Sequence, residues 1–222
     1  MQEFILKNKK SADEDIKRIL DDQLSIAISH LENELDNDFD GSIHEVRKCI
    51  KRTRAVLRLI RDDIGKDLYR KENIFLRDIN RNMSELRSIS VIIETLNKFD
   101  SGESQDHKSL IDHFTKLKEK IIIKLCLEEN RLEKVVELLR KGKERMERII
   151  IKNKEYEILF LGFIRIFNQC LRSMVIAKNE LSTGNLHEWR KGVKYLYYQF
   201  QVLKPVLHKE LLTYVPKLDK LA

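Results

Sequence analysis

Residues 43–64 read IHEVRKCIKRTRAVLRLIRDDI. Wound as a helix, His44, Arg47, Lys51, Arg54, Arg58 and Arg61 follow one another at spacings of 3, 4, 3, 4 and 3, so they line one face. At about 1.5 Å per residue the row is roughly 25 Å long. Beside it, about 100° away around the helix, Val46, Ile50, Thr53, Leu57 and Ile60 form an apolar stripe of the same period. One stripe asks for a core and the other for an anion. An ordinary solvated face interleaves Glu with Lys and Arg, and like charges at i,i+4 cost a few tenths of a kcal/mol per pair.

The same writing returns once. HEVRKCIK at 44–51, which includes Lys48, is matched by HEWRKGVK at 187–194, which includes Lys191. Both read H-E-x-R-K-x-[IV]-K, and each follows a Gly-containing turn. In the second copy His187, Arg190, Lys194, Tyr197 and Gln201 form the corresponding row. The repeat reads as an internal duplication within one domain spanning 1–222, its halves at about 12–100 and 106–222. The period is too long for a solenoid.

Outward from these segments, apolar residues recur at threes and fours nearly everywhere. Helices are expected over about 12–35 (with Leu20, Leu24, Ala27, Leu31 and Leu35 as its stripe), 43–64, 71–97, 107–140, 156–181, 186–203 and 208–221. Turns are expected at 36–42, at 182–185 and, most clearly, at 99–106 (FDSGESQD). Pro205 should stop one helix and Pro216 interrupt the last. The chain has seven Gly and two Pro in 222 residues, about a third of average usage. That scarcity of chain-breakers excludes a sandwich or barrel of short strands. The fold class is all-α.

The 42% hydrophobic content can fill a core. Three widely spaced cysteines, Cys49, Cys126 and Cys170, with no CxxC, support neither a disulfide framework nor a zinc site and suit a reducing cytoplasm. No cofactor is implied. The longest unbroken apolar run, Ile158–Ile164, has seven residues, far fewer than the roughly 18 of a membrane span. A membrane partner is therefore not expected, and no long heptad demands an oligomer.

The net charge of +7 is unevenly spread. Residues 44–61 hold seven Lys and Arg against Glu45 alone, and residues 187–204 hold four against Glu188 alone, which leaves the rest of the chain slightly acidic. Arg offers planar, bidentate contact to phosphate oxygens and Lys a point charge. A linear array of cations suits a linear array of phosphates. His44 and His187, each three residues before an Arg, are placed for ligand contact.

Catalytic patterns are missing. The fifth residue of the H-E-x-x-H test is Lys48 in one copy and Lys191 in the other, so zinc protease chemistry fails. There is no phosphate-binding Gly-rich loop and no E-x-E-x-K, the nearest match being Glu155-Tyr156-Glu157-Ile158-Leu159. The expectation is a binding protein, not an enzyme. Single-stranded nucleic acid is the rival ligand, because it too is a phosphate chain. Stacking of bases needs aromatics among the cations; Trp189, Tyr195, Tyr197 and Tyr198 lie near the second motif, and the first has none. An acidic protein, or another copy of the chain, docking on the basic helices is the third reading.

The two His-x-x-Arg-x-x-x-Lys motifs resemble the mark of the CHAD domain family, whose name denotes a conserved histidine α-helical domain. His44, Arg47, Lys51, Arg52 and Arg54 match one copy, and His187, Arg190, Lys191, Lys194 and Tyr198 the other. A third signature, Leu-Arg-Asp-x-Asp-Val, stands here as Leu86-Arg87-Ser88-Ile89-Ser90-Val91, and the stretch from Gly162 through Arg165 and Arg172 to Lys191 is similar to one branch of the family. The resemblance implies two pseudo-symmetric antiparallel helical bundles around a shared basic cleft. It also implies non-catalytic binding of inorganic polyphosphate, with a place at polyphosphate granules in the cytoplasm. The ligand-facing residues it implies are His44, Arg47, Lys48, Lys51, Arg52, Arg54, Arg58, Arg87, Arg165, Arg172, His187, Arg190, Lys191, Lys194 and Tyr198. Three departures stand out: Ser88 and Ser90 replace the signature's two Asp, and Tyr197 stands where the family usually has Arg. The pattern further expects one more helix after Ala222.

Overall fold

The computed structural model describes residues 4–7, 11–99 and 105–221, and among them there is no strand. The all-α expectation holds. Helix α1 (Ala12–Ser29) runs on into a π-helical turn at His30–Glu34. Leu20, Leu24, Ala27 and Leu31 are buried as the stripe predicts, and so are Ile16, Ile19 and Gln23 beside it, so α1 buries a wider face than its best stripe suggests.

Helix α2 (Phe39–Leu59) begins four residues earlier than its apolar pattern. The Asp38 carboxylate accepts the Gly41 N–H at 2.9 Å, which satisfies a free donor of the first turn. Gly41, expected in a turn, therefore lies inside the helix. The helix also ends sooner. Buried Ile60, at φ −93° and ψ 8°, separates it from the short α3 (Arg61–Ile64), and Gly65 follows at φ +87°, a region that favours glycine.

Two long helices expected from periodicity are each divided. The one expected over 71–97 is α4 (Lys66–Asn82) and α5 (Ser84–Lys98), parted at buried Met83. Asn82 and Ser84 are weak helix formers, and the Ser84 hydroxyl donates to the Arg81 carbonyl at 2.6 Å, which caps the end. The one expected over 107–140 is α6 (Gln105–Ile122), a π-helical turn at Ile123–Glu128 and α7 (Arg131–Glu147). Asn130 makes the break at φ +49°, in the left-handed region that Asn tolerates. Gly142 is part of α7. It lies inside, where a Cβ would stand 3.2 Å from the Phe75 ring. Of the loop expected at 99–106, residues 100–104 lie outside the described residues.

Helices α8 (Glu157–Asn179) and α9 (Thr183–Leu203) follow, α9 capped by the Ser182 hydroxyl accepting the Asn185 N–H at 3.2 Å. The last segment is interrupted, as Pro216 requires, into α10 (Lys209–Leu212) and α11 (Val215–Leu221). Taken by length and composition, α8 is long and apolar enough to cross a membrane. No unbroken apolar run of that length marks this helix in the sequence, because Arg165, Asn168 and Arg172 are scattered through it.

The chain forms two compact units. The first comprises residues up to Gln23, Lys51–Asn73 and everything from Arg145 onward; the second comprises Leu24–Ile50 and Ile74–Glu144. In the first unit the backbones come unusually close: a Cβ on Gly162 would sit 2.2 Å from the Leu59 carbonyl oxygen, and one on Gly192 3.2 Å from Cys170. Those glycines let the end of α2, α8 and α9 pack against one another. The first unit also ties down its N-terminal strip, with the Leu6 N–H on the Val202 carbonyl at 2.9 Å.

Candidate anion-binding site

In the first unit the two motif helices meet. The Arg58 guanidinium, 7% exposed, stacks over the Tyr195 ring of α9 at 3.8 Å. Buried Gln199 donates to the Ala55 carbonyl at 3.3 Å. Arg165 of α8 donates to the Arg58 carbonyl at 2.6 Å and pairs with Asp62. Arg58 and Arg165 are thus framework as much as surface. Arg54 is half-buried and its Nε–H donates to Asn73 at 3.0 Å.

The motif cations of this unit that keep some exposure are Lys51, Arg52 and Arg54 on α2, with His187, Arg190, Lys191 and Lys194 on α9. Arg52 lies 4.8 Å from the Phe4 ring centroid and its charge acts on Tyr197, which places it beside α9. Burial, followed by the charge of Arg190, pushes the Lys194 ammonium down, against the opposing pull of Asp219 on α11. Burial, with a hydrogen bond to Asp219, pushes the Tyr197 hydroxyl up. Tyr197, where an Arg is usual in the pattern, therefore faces a carboxylate that the sequence does not single out. Lys191 pairs with Glu188 at 2.8 Å, one turn away on the surface.

Tyr198, expected to face the ligand, is buried and meets the Phe4 ring edge-on at 6.3 Å. Its position on the helix points it to the core, one residue out of phase with the basic row. Arg172 is exposed on α8.

In the second unit the row begins with exposed His44 and half-buried Arg47 and Lys48. Arg47 donates from Nη1 to the Asn80 carbonyl at 2.5 Å. Its Nε–H, like those of Arg52 and Arg61 in the first unit, is buried with no protein acceptor among the described residues. Burial, then the charge of Arg87, pushes the Arg47 guanidinium down. Lys48 turns to Glu45 at 2.5 Å.

With Ser88 and Ser90 in place of the signature's two Asp, Arg87 is held by Glu94, two turns along α5, which accepts from both terminal guanidinium nitrogens at 2.6 and 3.2 Å. Ser90 is buried with its hydroxyl 2.7 Å from Asp40. Burial opposes ionisation of Asp40, yet hydrogen bonds from Lys118 and Ser90 and the charges of Lys118 and Arg87 hold its carboxyl below the usual value. An Asp at position 90 would face that carboxylate, whereas the Ser90 hydroxyl donates a hydrogen bond to it. His44 borders a cavity of about 390 Å³ whose walls include Glu34, Asp38, Asp40, Glu45 and Glu94, with His30 and Arg87. The purely cationic part of the row accordingly starts at Arg47. Asn80, Asn73, Asp62, Asp219 and Glu94 carry no pattern of their own in the sequence and become visible only as partners of these cations.

Among the described residues no group of His, Cys, Asp and Glu could hold a metal ion. No curated protein matches the chain. The family model described as the CHAD domain matches residues 18–222. Nearly the whole chain is covered by that match, and both histidine motifs lie inside it on helices that carry half-buried cations, so the protein belongs to the CHAD domain family.

Proposed function

We propose that this protein binds inorganic polyphosphate, without catalysis, through the basic rows of α2 and α9. One observation carries the reading: each row contains a half-buried cation held next to another cation, Arg47 by Arg87 and Lys194 by Arg190. Burial and the neighbouring charge disfavour Arg47 and Lys194 even with Glu94 clasping Arg87 and Asp219 acting on Lys194, and a bound phosphate would relieve both.

A ligand made of phosphates alone is favoured over one with bases. Tyr195 is covered by Arg58, Tyr198 is buried, the Tyr197 hydroxyl is engaged by Asp219, and Trp189 is half-buried and hydrogen-bonded with Cys170. These rings are not free as stacking platforms. The binding mode is cation neutralisation with counterion release, and the cellular reading is a cytoplasmic module that holds its host at polyphosphate granules.

The test titrates long-chain polyphosphate at physiological salt, with single-stranded RNA and duplex DNA as competitors. Binding that resists both, with affinity falling a hundredfold or more in Arg47→Ala/Arg190→Ala, is the expected result. Equal competition by RNA, or unchanged binding in the double variant, overturns the reading in favour of nucleic acid or an acidic protein partner.

A further inference from the structure

Helix α8 has two apolar faces. Leu159, Phe163, Ile166, Cys170 and Ala177 are buried on one side. On the opposite side Leu161, Ile164, Asn168, Leu171 and Val175 succeed one another at spacings of 3, 4, 3 and 4, the heptad seam of a coiled coil. All five are exposed, Leu161 by 59% and Val175 by 51%. Phe167 and Met174, seven residues apart and also exposed, widen the seam on one flank. A soluble helix that is apolar all round sits inside a core, and this one is covered on one side only: 28% of its most apolar stretch is buried.

We infer that this face is an interface with a second copy of the same chain. Taking about 200 Å² for a fully exposed large side chain, the six apolar residues present roughly 550 Å², at the upper end of the 300–600 Å² that a monomer leaves open. With exposed Asn168, Arg172 and Lys178 on the same side, the area approaches the about 800 Å² that each partner gives to a stable interface. The seam carries one polar residue, Asn168, near its middle. A single Asn in an apolar seam is the device by which paired helices select register and partner number, and it has no such use on a face turned to lipid. Pairing two copies also doubles the basic rows presented to one polyanion, which raises avidity without any new contact.

Sedimentation of the full chain through a hundredfold dilution series tests the inference. A dimer is expected, and Ile164→Glu/Leu171→Glu should weaken dimerisation at least tenfold while the circular dichroism spectrum keeps its helical signal. Leu161→Arg, at the far end of the seam, repeats the test should that pair of substitutions disturb folding. Leu110→Glu, which alters an exposed leucine of the second unit, should leave the dimer intact. A wild-type chain that stays monomeric at every concentration overturns the inference, whether it remains in solution or floats with phosphatidylcholine–phosphatidylglycerol vesicles. So does a dimer untouched by both seam variants. Polyphosphate binding enters none of these readouts.

Discussion

The two histidine motifs share their letters and differ in their surroundings. In the α2 row, Arg47 is anchored on the Asn80 carbonyl, Arg54 on Asn73, and Arg58 lies under Tyr195. In the α9 row, His187, Arg190 and Lys191 stand exposed on the first turns, and only Lys194 is drawn in. The same residue types thus serve two purposes. The α2 cations are held in place by hydrogen bonds and packing, so their removal disturbs the fold. Exposed His187 and Arg190 are not built into the packing in this way, so their removal should be felt in binding alone.

The sharpest way to break this contrast is Arg58→Ala. It deletes a buried stack, and a loss of about 2–3 kcal/mol is expected, read as a lowered midpoint of denaturant unfolding. A stability change within 0.5 kcal/mol, the range of an ordinary surface substitution, would place Arg58 with the α9 cations. Next comes Arg190→Ala, for which roughly a tenfold loss of polyphosphate affinity is expected at an unchanged unfolding midpoint. The log–log salt slope should become shallower by about 0.7, the value for one lost phosphate contact on a single strand. A shifted midpoint would show that the α9 row is structural too.

A pH experiment sharpens the comparison from the other side. The Lys194 ammonium is held below its ordinary value of 10.5 by burial and Arg190. An anion bound there restores the charge, so binding takes up protons. Affinity should therefore strengthen as pH falls through the depressed range and weaken as pH rises through it. Lys194→Arg, which stays charged, should flatten that alkaline limb. An unaltered profile in this variant would remove Lys194 from the site. In the unliganded fold the sign is reversed: stability rises between the depressed value and 10.5, because the unfolded chain holds the proton longer.

The smallest effect lies away from both rows. Burial and the hydrogen bond to Asp15 push the Tyr156 hydroxyl from 10.0 up to about 12. Its contribution to stability is complete below pH 10 and is lost as pH rises toward 12. Tyr156→Phe should remove that part of the alkaline decline and leave polyphosphate binding unaltered. Alkaline unfolding identical to wild type would dissociate Tyr156 from the effect.

Much of the fold was readable because it depends on local periodicity. The 3.6-residue pattern located α1, α8 and α9 within a few residues, and Pro205 and Pro216 marked real stops. It failed at Ile60, Met83 and Asn130, where breaks fall inside unbroken patterns. Nothing in the spacing of apolar residues records whether a buried position keeps helical dihedrals. The site divided in the same way. Both cation rows could be read from spacing, but the burial of Tyr198, the pairing of Arg165 with Asp62 and the clasp of Glu94 on Arg87 could not. Those are contacts between elements far apart in sequence, or between turns of one helix with several candidate partners.

The sequence alone determined the helical class, the two basic faces and the family, since each rests on the order and spacing of side chains along a helix. Only the tertiary structure decided which of those cations are fastened into the packing and which stand exposed. That distinction depends on which carbonyls, carboxylates and rings the packing of separate helices brings within reach. It likewise decided that one apolar face of α8 is buried and the opposite one exposed, because a periodic stripe announces that a face seeks cover but does not say what covers it.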